Sequence, residues 1–315
     1  MANASIDHAL TGERRSLASD PTHAGVLSFA RRRYAKDVAG ADVAVLGVPF
    51  DAATSNRPGA RFGPRAVRAA SSIMDNDAQY PFHRPVFDRL EVVDAGDVLL
   101  DYGDHAATAN RIERAASDML DAGVKCLAIG GDHFVTWPLL RAHAARHGPL
   151  ALVQFDAHQD TWPDDGRRID HGTFVSRAVA DGTIDPAASI QIGIRTHAPA
   201  DCGIEIVYGH QVEEMRAPEI ARRVRERVGD RPAYVTFDID CLDPAYAPGT
   251  GTPVAGGPSS ARMLATLHAL DGLGIVGADV VEVAPAYDHA EITAIAAAAV
   301  AMSYCGLWLA AKERT

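Results

Sequence analysis

Short apolar runs rich in Val, Ile and Leu recur along this chain, and helix-patterned segments separate them. The runs are Val43–Val48, Leu90–Asp94, Lys125–Ile129, Leu150–Phe155, Ser189–Ile194, Ala233–Phe237 and Ile275–Val281. Several are apolar at successive positions, which suits strands covered on both faces rather than strands with one wet face. Between them, Ala106–Ala122, Thr136–Arg146, Gln211–Val228 and Ser259–Leu270 carry helical spacing. Thr136 is placed to cap its helix, leaving Pro138 in the first turn, where proline is tolerated. The alternation predicts an α/β fold, a single-domain, three-layer arrangement with a mostly parallel sheet flanked by helices.

A length of 315 residues allows one large domain or two smaller ones. No repeat, low-complexity tract or Gly/Ser linker divides the chain, so one domain is expected over 41–315. Residues 1–40 read as an N-terminal extension packed on the domain or on a neighbouring subunit. Lys+Arg total 30 against 41 Asp+Glu, a formal net charge of −11. That balance argues against nucleic acid as a partner, because phosphate binding requires a basic surface. Cys126, Cys202, Cys241 and Cys305 stand singly, as reduced thiols in a cytoplasmic protein do. The first twenty residues contain no apolar core of a secretory signal. Ile292 to Ala311 is uncharged and long enough to span a bilayer. Its alanine richness and interior Thr, Ser and Gly make it a buried core helix instead, so no membrane partner is expected.

In a parallel α/β sheet the site lies outside the carboxyl ends of the strands. Three of those ends are unusual: GGDH at 130–133, FDAHQD at 155–160 and FDIDCLDP at 237–244. If the chain stays extended, Asp156, His158 and Asp160 point the same way. Asp238 and Asp240 repeat the pattern after another strand. Packing these acids together without a cation is costly, since like charges oppose each other's ionisation. With His133 they make a metal site. Carboxylates and imidazoles without thiolate favour a hard or borderline ion such as Mn2+. Four aspartates match the charge of two divalent ions, and Cys241 alternates to the opposite side as packing.

The motifs GGDH, FDAHQD, DHGT at 170–173, FDIDCLDPAYAPGTGTPVAGG at 237–257 and DVVEVAPAYD at 279–288 resemble those of the ureohydrolases, the family of arginase and agmatinase. The similarity runs from about Val43 to the final helix, and its pattern is most similar to the bacterial agmatinases. The resemblance implies an arginase-like fold, two Mn2+ per subunit and a small-molecule guanidino substrate. By the same resemblance His133, Asp156, Asp160 and Asp238 hold one ion and His158, Asp156, Asp238 and Asp240 the other. A hydroxide bridging them would attack the guanidinium carbon, turning agmatine and water into putrescine and urea. His171 matches the family's proton-shuttling histidine and Glu282 its guanidinium-binding glutamate. Thr250, in PGTGTP, is expected to line the same pocket.

The stretch HQDTW lacks the asparagine found after the corresponding arginase motif, which disfavours arginine as substrate. Trp162 is placed to wall the pocket or contact a distal ammonium. Arg57 and Arg61 in SNRPGARFGP suit a carboxylate-ended substrate, so guanidinobutyrate or another guanidino acid is the alternative. The family forms trimers or hexamers, and a homo-oligomer is expected.

Overall fold

The computed structural model describes residues 7–11, 22–74, 78–82, 84–166 and 168–314. Part of the expected N-terminal extension, residues 1–6 and 12–21, therefore lies outside the described residues. Nine strands form one sheet: β1 Arg33–Tyr34, β2 Val43–Gly47, β3 Val92–Asp97, β4 Lys125–Ile129, β5 Ala151–Phe155, β6 Ile190–Ile194, β7 Glu205–Tyr208, β8 Ala233–Asp238 and β9 Ile275–Val281. Their spatial order is β1-β3-β2-β4-β9-β8-β5-β6-β7, and every pairing is parallel. The strands β2, β5, β6 and β8 are buried along their whole length, as near-continuous apolar runs require.

The two faces of the sheet carry separate apolar cores. One contains Val45, Phe155, Phe237 and Met302, the other Ala44, Leu152, Leu139 and Phe174. Helix and sheet thus alternate in three layers. The expected strand and helix positions hold, and the differences have local causes. Gln211–Val228 is two helices, α5 Gly209–Glu214 and α6 Ala217–Val228, when numbered after α1 Gly63–Ser71, α2 His105–Asp121, α3 Thr136–His147 and α4 Phe174–Ala180. Pro218 has no N–H and its ring crowds the carbonyl four residues earlier, so one continuous helix cannot form. Thr136 does not cap α3: its hydroxyl donates to Asp279 Oδ2 at 2.9 Å. The capping role falls to Asp132, which accepts from Phe134 N ahead of the helix. The final helix, Ile292–Lys312, has the length and apolarity to cross a membrane, yet 83% of its most apolar window is buried in the fold.

His143 on α3 fills space that Gly277 leaves, since a Cβ there would meet its Nε2 at 2.2 Å. Its Nδ1 donates to Leu139 O at 2.7 Å, and its ring packs edge-on against Tyr234. Burial is the main force on the ring and pushes its pKa down to about 4. The neutral ring therefore stabilises the fold fully above the ordinary histidine value. That contribution is lost as pH falls from about 6.5 to about 4, because the unfolded chain takes up the proton first. We expect His143→Gln to remove about 3 kcal/mol of pH dependence across that window, read from urea unfolding at each pH. Identical slopes for the two proteins contradict this.

Candidate metal centre and active site

Four adjacent strands, β4, β9, β8 and β5, deliver the site at their carboxyl ends. After β4 the chain passes so close to Phe50 that a Cβ on Gly131 would lie 1.6 Å from its carbonyl oxygen. Only glycine fits there, and the turn it permits presents His133. Asp156 follows β5 directly, while Asp238 ends β8 and caps the next turn by accepting from Asp240 N at 2.8 Å. Glu282 follows β9 with φ at 64°. Asp160 corrects the extended-chain expectation. Its φ is 51°, so a left-handed residue, not strand alternation, turns it back toward the centre. Positive φ at both acids is backbone strain concentrated at a functional site.

The expected ligands do come together. His133 Nδ1 lies 2.9 Å from Asp156 Oδ2, 3.0 Å from Asp160 Oδ2 and 3.2 Å from Asp238 Oδ2. His158 Nδ1 lies 3.1 Å from Asp240 Oδ2 and 3.5 Å from Asp156 Oδ1. Two groups able to hold a metal, His133–Asp156–Asp238 and Asp156–His158–Asp240, share Asp156, and within each the ligand atoms lie within 4.8 Å of one another. Burial lifts Asp238 well above the usual carboxylate range, and Asp240 and Asp156 add to the rise. Asp160 is pushed up to about 6 by burial and then by Asp156. Burial opposes the His158 imidazolium, but Asp240 and Asp156 outweigh it and raise the ring to about 12.

One atom tests whether metal fits better. Thr236 donates its hydroxyl to Asp279 Oδ1 at 2.5 Å, so it accepts from His133 Nε2 at 2.9 Å. In the neutral ring that leaves a lone pair on Nδ1 facing three carboxylates, with no hydrogen-bond partner. A dication satisfies all four groups at once. Thr236 and Asp279 therefore orient a candidate ligand: Thr236 lies outside every motif, and Asp279 opens DVVEVAPAYD without having been singled out. Thr136, Thr236 and Tyr234 all donate to the buried Asp279 carboxylate. Both residues interrupt apolar strands, which was the only sequence signal for Thr236. We expect Thr236→Val to weaken metal binding about 10- to 100-fold by releasing the ligand's orientation. Competition with a chelator measures this, and unchanged affinity contradicts it. Gln154 similarly steers Asp156, donating to Oδ2 at 2.8 Å while accepting from Gln191.

Beside the cluster, His171 Nδ1 lies 2.7 Å from Glu282 Oε1, which also accepts from His133 N at 2.8 Å. Glu282 Oε2 is buried without a partner. Burial opposes the His171 imidazolium, but Glu282 outweighs it and brings the ring to about 10. Nε2 meets Ser55 Oγ at 2.7 Å and Ser55 N at 3.1 Å. The amide contact requires a lone pair on Nε2, which the neutral ring has and the cation lacks. A dication bound in the adjacent cluster would also favour the neutral form, which the amide contact already requires.

A cavity of about 440 Å3 opens over these groups. His158, Asp160, Asp238 and His171 floor it, with Ser55, Trp162, Asp170 and Thr252 around them. Thr250 corrects another expectation: it is fully buried and does not line the cavity, whereas Thr252 does and donates to Asp240 Oδ2 at 3.2 Å. Glu282 also lies beneath the cavity rather than on its wall, covered by His171. Arg61 is ion-paired with Asp51 and packs over Tyr102; Arg57 packs over Tyr287, 5.2 Å from the ring centre. Neither arginine reaches the cavity, and no described Lys or Arg lines it.

The arginase family model matches residues 41–306. The chain is 49% identical to the agmatinase of Chromobacterium violaceum over 282 residues, covering 89% of this chain and 88% of that protein. It is 48% identical to an agmatinase of Neisseria meningitidis serogroup C, over 87% of this chain and 89% of the other. A crystal structure of a hypothetical agmatinase from Burkholderia thailandensis superposes with a TM-score of 0.95 at 50% identity, covering 98% and 99% of the two chains. Proclavaminate amidino hydrolase from Streptomyces clavuligerus gives 0.88 at 41%, covering 93% and 100%. With that agreement over the whole domain, the chain belongs to the arginase family and is a ureohydrolase, a hydrolase acting on guanidino groups.

Proposed function

We propose that the chain is a binuclear manganese amidinohydrolase that converts agmatine and water into putrescine and urea. The observation that carries this reading is the cavity itself, floored by the ligand cluster and lined by carboxylates with no described Lys or Arg. His133, Asp156, Asp160 and Asp238 would hold one Mn2+, and His158, Asp156, Asp238 and Asp240 the other. Asp156 and Asp238 are shared, and four aspartates balance two divalent ions. When bound, such a pair makes water nucleophilic at neutral pH.

The chain's own residues do the rest. Glu282 Oε2, a buried acceptor without a partner just behind the cavity lining, would take a guanidinium donor from a substrate that reaches past His171. Its other oxygen holds His171 through Nδ1, so the two groups work as a unit. Water adds its oxygen to the guanidinium carbon and gives up a proton to His171 Nε2; the carbon's bond to the aminobutyl nitrogen then breaks as His171 returns that proton to the departing nitrogen. Urea and a diamine leave. The agmatinase relatives support this substrate.

The test is urea release by the Mn2+-loaded protein from agmatine, 4-guanidinobutyrate, 3-guanidinopropionate and arginine. Agmatine is expected to have the highest kcat/KM. A preference for guanidinobutyrate rejects the substrate and keeps the chemistry; no urea from any of them rejects both.

A further inference from the structure

We infer that Asp170, with Trp162, forms the subsite for the substrate's terminal ammonium and so selects a cationic tail over an anionic one. This rests on the guanidino-hydrolase reading of the same cavity and names a residue it leaves without a role. The carboxylates lining the cavity are Asp160, Asp170 and Asp238. Asp160 and Asp238 face His133 Nδ1 at 3.0 and 3.2 Å and belong to the metal cluster. Dications held there would neutralise them. Asp170 touches no member of that cluster, and its charge is left for something else.

The Asp170 carboxylate is half engaged. Oδ1 accepts from Gly172 N at 2.8 Å and holds the turn that carries His171. Oδ2 receives no hydrogen bond from any described residue. Beside it Trp162 is half-exposed, and its backbone N–H donates to Gly172 O at 3.1 Å, tying the two segments together. Gly172 lies between them without a side chain. A Cβ there would be 3.3 Å from both Asp170 Oδ1 and Trp162 Cδ1, and 4.0 Å from Asp160 Oδ1. A carboxylate, an indole and a metal-cluster ligand therefore surround one small open space. The separation of Asp170 from Asp160 cannot exceed the sum of those two distances, a gap that a short polymethylene chain crosses.

The chemistry of that space is specific. An ammonium offers three donors to a carboxylate, and an indole adds a hydrophobic wall and attraction for a cation. A carboxylate tail would meet Asp170 as a like charge and find no described Lys or Arg in the cavity. Arg61 is held by Asp51 and Arg57 lies over Tyr287, so neither answers it.

The test pairs a substrate deletion with a residue deletion. Agmatine and n-butylguanidine differ only by the terminal amine, and urea release is read for each with Mn2+-loaded protein. The native chain should favour agmatine in kcat/KM by about tenfold or more, the scale of a hydrogen bond to a charged group. In Asp170→Asn, which keeps an oxygen to accept from Gly172 N, that ratio should collapse toward one, chiefly through the KM for agmatine. Trp162→Leu should reduce it by a smaller factor. A ratio that survives Asp170→Asn overturns the subsite, even if both rates fall, because Asp170 then acts only through the His171 turn. Should that variant fail to fold, equal kcat/KM for the two compounds in the native chain overturns it as well. Absence of urea from every guanidino compound would instead remove the hydrolase reading beneath it.

Discussion

Asp238→Asn should lose at least about a thousandfold in kcat/KM while its metal-free form becomes more stable than the native chain. Both effects come from one carboxylate. Asp238 Oδ2 is 3.2 Å from His133 Nδ1, and Oδ1 caps the following turn through Asp240 N. Asparagine keeps the cap, so the backbone has no reason to move. It removes a charge that burial, Asp240 and Asp156 all oppose in the folded state. A group whose folded pKa is raised costs stability wherever the unfolded chain is ionised, so neutralising it helps the empty protein near pH 7. Metal reverses the comparison. Added Mn2+ should raise the native melting temperature by mass action and raise the variant's far less. Melting curves with and without metal check this; an empty variant less stable than the native chain would show that Asp238 is structural.

Glu282→Gln should lower kcat/KM on a similar scale, about a thousandfold, and leave metal content intact. Its carboxylate accepts from His133 N and His171 Nδ1 and keeps Oε2 for a donor from outside. Glutamine is isosteric and suits the same φ of 64°, so packing is retained. What disappears is the charge that favours the His171 imidazolium against burial. The His171 titration in metal-free protein should therefore move down from its position in the native chain, which NMR of the imidazole reads directly. Lost metal in Glu282→Gln would place this residue in the cluster rather than beside it.

The sequence exposed much of this because the metal ligands sit where strands end. GGDH, FDAHQD and FDIDCLDP each follow an apolar run, and a parallel sheet brings such ends together whatever their spacing in the chain. Other features depend on geometry that no local pattern encodes. Asp160 reaches the centre through a left-handed residue, although alternation alone also pointed it there. Thr250 and Thr252 are indistinguishable in PGTGTP, and only the folded loop shows that Thr252 faces the cavity. Arg57 and Arg61 looked like anion binders until Tyr287 and Asp51 were seen to hold them elsewhere. Asp170 was hidden inside a motif noted for its histidine. The two-residue β1 and the edge strand β7 are too short to carry a pattern. For the threonines and the arginines the missing information was a tertiary contact.

Titrating metal-free protein with Mn2+ while following urea release from agmatine tests the central claim most directly. Activity is expected to rise until two equivalents per chain are bound and then to level off. A plateau at one equivalent, or full occupancy without urea, would contradict a paired-metal ureohydrolase.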